Sequence, residues 1–175
     1  MKKSVILFVT VLVLAALSLP VTAQTPEAGR FVAHMTGDQE VPMRETNAVG
    51  QTVLRLNRDG TELDFMLMVA NIENVVASHI HLGPEGSNGP IVAFLFGTVP
   101  PGGGRVQGVL SRGTITSADL VGPLAGQDLS VLIAALRSGG AYVNVHTNDG
   151  IGEVNTGPGD FPGGEIRGQV YTAGP

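Results

Sequence analysis

The chain has 175 residues, 43% of them apolar, with 25 glycines, 11 prolines, no cysteine and a formal net charge of −5. Without cysteine there is neither a disulfide framework nor a lipid-bearing N-terminal cysteine, so an exported form must be held by packing alone. The acidic balance argues against nucleic acid and anionic membrane surfaces as partners.

The N-terminus reads Met1-Lys2-Lys3, then a run from Val5 to Leu17 broken only by Thr10, then Val21-Thr22-Ala23 ahead of Gln24-Thr25-Pro26. A charged head, an apolar stretch and a small-residue site predict a Sec signal peptide over residues 1–23, cleaved after Ala23. An uncleaved anchor would need roughly 20 apolar residues, and Pro20 interrupts the run. Cleavage leaves a periplasmic or secreted chain with no membrane attachment. Both lysines lie in the signal, so eight Arg against fifteen Asp and Glu give the mature chain a charge of −7. Residues 24–29 read as a flexible lead-in and 30–172 as one domain.

From Arg30 onward apolar residues alternate with polar ones, and turn residues recur about every ten positions. Phe31, Ala33 and Met35 share one face of a first strand; Thr52, Leu54 and Leu56 share a face of the next; Leu63, Phe65, Leu67 and Val69 mark a third. Asn57-Arg58-Asp59-Gly60 joins the last two, with Gly supplying the positive φ a hairpin turn needs. Further strands are expected over Val75–Leu82, Pro90–Phe96, Arg105–Thr116, Ala141–Thr147 and Glu165–Thr172. Leu129, Leu132, Ile133 and Leu136 instead fall on one helical face, with Asp128 placed to cap the start and Gly139 the end. A smaller turn is expected at Ser117. The pattern predicts an all-β fold, an antiparallel Greek-key β-sandwich of immunoglobulin-like or superoxide-dismutase-like type, with one short helix.

The chemistry-bearing residues cluster in three strands. In Ser78-His79-Ile80-His81 the two histidines point to one side and Ile80 to the other. In Tyr142-Val143-Asn144-Val145-His146 the polar residues again share a face, and in the last strand Glu165, Arg167, Gln169 and Tyr171 stand opposite Ile166 and Val170. If these strands are neighbours, His79, His81, His146, Asn144, Glu165 and Arg167 meet. Neutral imidazoles at such spacing suit copper or zinc. The same residues also fit a buried polar network in which Glu165 pairs with Arg167 and backbone carbonyls satisfy the histidines. His34 stands alone, and Asp149, Glu153 and Asp160 lack EF-hand spacing, so a solvated loop is the expectation there rather than a calcium site. No serine lies in a G-x-S-x-G context, and the Gly-rich Pro100–Gly104 segment reads as a hairpin loop rather than a phosphate cradle.

Four separated segments resemble the chordin-domain (CHRD) family: F-V-A-H-M-T-G-D-Q-E-V-P from Phe31, A-S-H-I-H-L-G-P-E-G-S-N-G from Ala77, A-Y-V-N-V-H-T from Ala141, and the closing G-E-I-R-G-Q-V. The resemblance spans about residues 30–172. It implies a β-sandwich-like module of secreted proteins, and hence a non-enzymatic module binding a protein or polysaccharide at the cell surface. The Asn148–Gly163 loop is longer than the family pattern leads one to expect. The H-x-H strand is more distantly similar to the copper strand of copper–zinc superoxide dismutases, but the bridging histidine and the disulfide of that family have no counterpart here. A single copper or zinc ion on His79, His81 and His146 is the alternative reading.

Overall fold

The computed structural model describes residues 29–174; the expected signal peptide and the lead-in up to residue 28 lie outside them. Eight strands form in the order β1 (Arg30–Thr36), β2 (Val49–Leu56), β3 (Leu63–Glu73), β4 (Val75–Leu82), β5 (Ile91–Phe96), β6 (Arg105–Ile115), β7 (Ala141–Thr147) and β8 (Ile166–Thr172). One helix, α1 (Leu129–Arg137), precedes β7. The strands and helix fall where the sequence periodicity puts them, with β2 starting earlier, at Val49, and β3 running on to Glu73. Short 3₁₀ turns at Gly37–Gln39 and Gly122–Leu124 were not anticipated; the one at Ser117–Asp119 was.

All eight strands belong to one antiparallel sheet, ordered β5-β4-β7-β8-β1-β2-β3-β6. The expected pair of stacked sheets is therefore corrected to a single sheet. β1 hydrogen-bonds to both β2 and β8, which joins the two halves along one seam. The sheet then curls until its edge strands β5 and β6 touch, giving a nearly barrel-shaped wall. Alternation could not tell these cases apart, because an inward apolar face reads the same whether it belongs to two sheets or to one that wraps.

The enclosed core takes Phe31, Ala33 and Met35 from β1, Leu54 and Leu56 from β2, Leu63, Leu67 and Val69 from β3, Ile80 from β4, and Val143, Val145, Ile166 and Val170 from β7 and β8. At the hairpin, Asn57 Oδ1 accepts from the amides of Thr61 and Glu62 while Gly60 takes φ 73°. Helix α1 adds Leu129, Leu132, Ile133 and Leu136 to the same core. Its first turn is capped by Asp128, whose Oδ1 accepts from Ser130 N at 2.8 Å, and Gly139 follows its end at φ 68°.

Strands β4, β7 and β8 differ from the rest in being buried on both faces. Their inner face meets the core. Their outer face lies beneath segments 37–44, 83–90 and 160–164, and it is this covered outer face that carries the polar residues.

Because Leu132 is fully buried, Leu132→Ala should lower stability by about 2–5 kcal/mol through lost transfer energy and a cavity. Asp128→Ala, which removes only an exposed cap, should cost distinctly less. Denaturant titration of both variants checks the ranking, and equal losses would show that α1 is not a core element.

Candidate functional site

The register of β4, β7 and β8 builds the site in rungs. His79 sits opposite Asn144, which sits opposite Arg167; one rung along, His81 faces Tyr142 and Tyr142 faces Gln169. Residues directly opposite in an antiparallel ladder share a face, so all six project outward from the wall. His146 lies two residues beyond Asn144 on the same side. Between the rungs, Ile80, Val143 and Gly168 form the matching inward row. At Gly168 any side chain would run into the backbone of His34 and the Met35 side chain.

The three histidines converge as expected. One nitrogen from each can be chosen so that all lie within 4.8 Å of one another, and His79 Nδ1 is 3.1 Å from His146 Nε2. Two of the rings are held by their far nitrogen. His81 Nδ1 donates to Gly89 O at 2.8 Å, and His146 Nδ1 donates to Pro162 O at 2.8 Å. With Nδ1 carrying the proton, both rings keep a bare Nε2 lone pair. His81 Nε2 is buried and has no hydrogen-bond partner. Fixing a ligand histidine through its second nitrogen is the usual support of a metal ligand.

The rings are also held neutral. Burial lowers the pKa of His79 to about 3, helped by the neighbouring charges that His146 and His81 would carry. Burial likewise lowers His81 and His146, against the opposing pull of their backbone hydrogen bonds. Neutral imidazoles present lone pairs without competition from protons near neutral pH. Phe94 meets the His79 ring edge-on at 4.7 Å, and Tyr142 stacks on His81 at 4.8 Å and 10°.

The polar-network alternative pairs Arg167 with Glu165, and the two side chains instead serve different partners. Arg167, 1% exposed, lies over the Tyr142 ring at 3.5 Å and donates to Pro84 O, Ser87 O and Asn88 Oδ1. Glu165 lies just outside the paired part of β8, and its carboxylate accepts from Thr46 Oγ1, Thr147 Oγ1 and Gly159 N. Thr147 belongs to the inward row of β7, so Glu165 serves the end of the barrel rather than the histidine wall. Gly164 takes up the outward place instead, where a side chain would collide with Glu40 and Asn144.

The acid that does reach this wall is Glu40, which the sequence reading passed over. It is 5% exposed with Oε1 unpartnered. Burial pushes its pKa up to about 7 against the pull of Arg167 and, less strongly, of Val41 N, Arg44 and the Asn144 amide. A lone Glu in a turn carries no periodicity to reveal this; the Q-E-V-P run gave only the family likeness. His34 is exposed, as expected of an isolated histidine. Asp160 is a correction, since it is buried and ties its loop through Thr156 N and Oγ1. Among the described residues the three histidines are the one group of metal-ligating side chains brought together.

The family model of the CHRD domain matches residues 31–170. No curated protein matches the chain.

The pKa shifts fix the sign of a pH effect in the metal-free protein. His79 titrates near 3 when folded and near 6.5 when unfolded, so its contribution is complete above pH 6.5 and is lost as pH falls toward 3. Glu40 acts in the opposite sense: its contribution is complete below pH 4.5 and is lost as pH rises through about 7. Acidifying from about pH 7.5 to 5 should therefore weaken the parent through His79 while Glu40 acts the other way. His79→Gln lacks the first effect, so its melting temperature should hold up better on acidification than that of the parent. Equal falls in parent and variant would mean that His79 keeps an ordinary pKa.

Proposed function

The chain belongs to the CHRD domain family, and on that footing we propose that it is an exported, non-enzymatic binding module whose outer wall holds one copper or zinc ion on His79, His81 and His146. The observation that carries this reading is the buried, unpartnered Nε2 of His81 beside the other two rings. An orphaned buried acceptor costs about 1–3 kcal/mol, and a metal ion relieves that cost.

The donor set fits the ion. Metal–nitrogen bonds of 2.0–2.1 Å at tetrahedral angles place neighbouring nitrogens about 3.3 Å apart, close to the 3.1 Å between His79 and His146. Small ring rotations bring His81 into the same range. In the metal-free protein the proton on His79 Nδ1 bridges to His146 Nε2; when an ion takes that place, His79 carries its proton on Nε2. Bound copper would supply a one-electron couple, and bound zinc a structural tie between β4 and β7.

A second reading, a macromolecular partner at the cell surface, rests on a different feature. The loop following β7 leaves Ile151 76% and Val154 53% exposed. Isolated side chains of this kind on a rim are where rigid β modules present recognition. Binding of the protein to isolated cell-envelope polysaccharide or surface protein, abolished by the paired change Ile151→Ser and Val154→Ser, would support it. Equal binding by the variant would remove the loop from consideration.

Elemental analysis of the mature protein, purified without an affinity tag, tests the metal site. The expected result is close to one copper or zinc per chain, lost in His79→Ala and in His146→Ala. A folded parent that carries no metal and takes up neither added copper nor added zinc would overturn the proposal.

A further inference from the structure

Asn144 stands in the middle of the wall, 3% exposed, directly opposite His79 on one side and Arg167 on the other. Its Oδ1 is 2.9 Å from His146 Nε2. It also reaches the His81 ring closely enough to affect its pKa. His146 has already committed its N–H to Pro162 O. The 2.9 Å contact therefore sets one acceptor against another, an arrangement that favours a cation between them.

The amide orientation follows from the opposite side. Asn144 Nδ2 and Glu40 Oε1 border the same small space, the one a Gly164 side chain would fill, and the Asn144 amide pulls the Glu40 pKa down. Turning the amide over would set its oxygen against that carboxylate. Glu40 thus serves as a positioning residue, and Gly164 supplies the room for the contact.

We infer that the Asn144 carboxamide oxygen is the fourth donor to the ion, completing a closed site of three imidazole nitrogens and one oxygen. This rests on the three-histidine reading above and adds a functional consequence to it. Closed four-coordinate sites hold an ion, whereas sites that activate water or substrate keep a position open. The module then sequesters or is stiffened by a divalent ion. A hard amide oxygen suits Zn²⁺ or Cu²⁺ better than Cu⁺, which prefers sulfur donors.

Cobalt(II) added to the metal-free mature protein provides the test, because its visible spectrum reports coordination number and azide reports any exchangeable position. The parent should take up one cobalt with an intense tetrahedral band that azide leaves unchanged. Asn144→Ala, shown to be folded by circular dichroism, should bind cobalt roughly 10–100-fold more weakly. Its spectrum should now respond to azide, because water occupies the vacated position. Asn144→Asp, which keeps an oxygen in place, should remain indifferent to azide.

An azide-sensitive parent spectrum overturns the closed site whatever the variants do. So does a folded Asn144→Ala with parental affinity and no azide response. Failure of the parent to bind any cobalt is a separate result, and it removes the histidine site itself.

Discussion

The burial of the Arg167 guanidinium organises the outer wall of this protein. A charge 1% exposed is tolerable only when its donors are spent and its field is answered. Here Pro84 O, Ser87 O and Asn88 Oδ1 take the donors, and the Tyr142 ring faces the cation at 3.5 Å. Those acceptors all lie in the loop after β4, so satisfying Arg167 folds that loop down over the strands. The loop in turn delivers Gly89 O to His81 Nδ1 and Gly89 N to the Tyr142 hydroxyl. Tyr142 is thereby held between Arg167 and His81, one face to each. Ring orientation, tautomer and loop position at His81 all trace to this one buried cation.

Glu165 performs the corresponding task at the end of the barrel. Its carboxylate gathers Thr46, Thr147 and Gly159 N from three separate parts of the chain. Phe161 N then bonds Thr147 Oγ1, and the segment that follows carries Pro162 O to His146. The two buried charges of the G-E-I-R run thus act on different loops, and each ends in a hydrogen bond to a different histidine. Keeping them apart matters, because a direct ion pair would leave the threonines and Gly159 N on one side, and the carbonyls of the loop after β4 on the other, without partners. Gln169 completes the arrangement by donating to Gly83 O and Gly139 O, which ties the loop after β4 to the end of α1.

Much of this was legible in the sequence because it is written in local periodicity. The histidines, Asn144 and Arg167 share a face by alternation, α1 shows its i, i+3, i+4 pattern, and Asp128 marks its start. Sheet closure was not legible, since wrapping depends on which strands pair, and β8 returns to β1 across more than a hundred residues. The Glu165–Arg167 pairing failed for a related reason. Alternation places Glu165 outward only if the ladder reaches it, whereas pairing with β7 stops at Ile166. Glu40 escaped notice because its burial comes from strands remote in sequence. The cluster itself, by contrast, needed only that β4, β7 and β8 be neighbours, and they are.

The two faces of β4 and β7 answer to separate demands. Ile80, Val143 and Val145 face inward and hold the barrel together, while the polar residues interleaved with them touch one another, the overlying loops and, at His79, Phe94 of β5. Replacement of an outward side chain therefore leaves the inward packing in place. Changes on the outer wall are felt first by the overlying loops, and the packing of the barrel interior is largely insulated from them. What the wall carries and how the barrel is held are thus settled by different residues of the same strands.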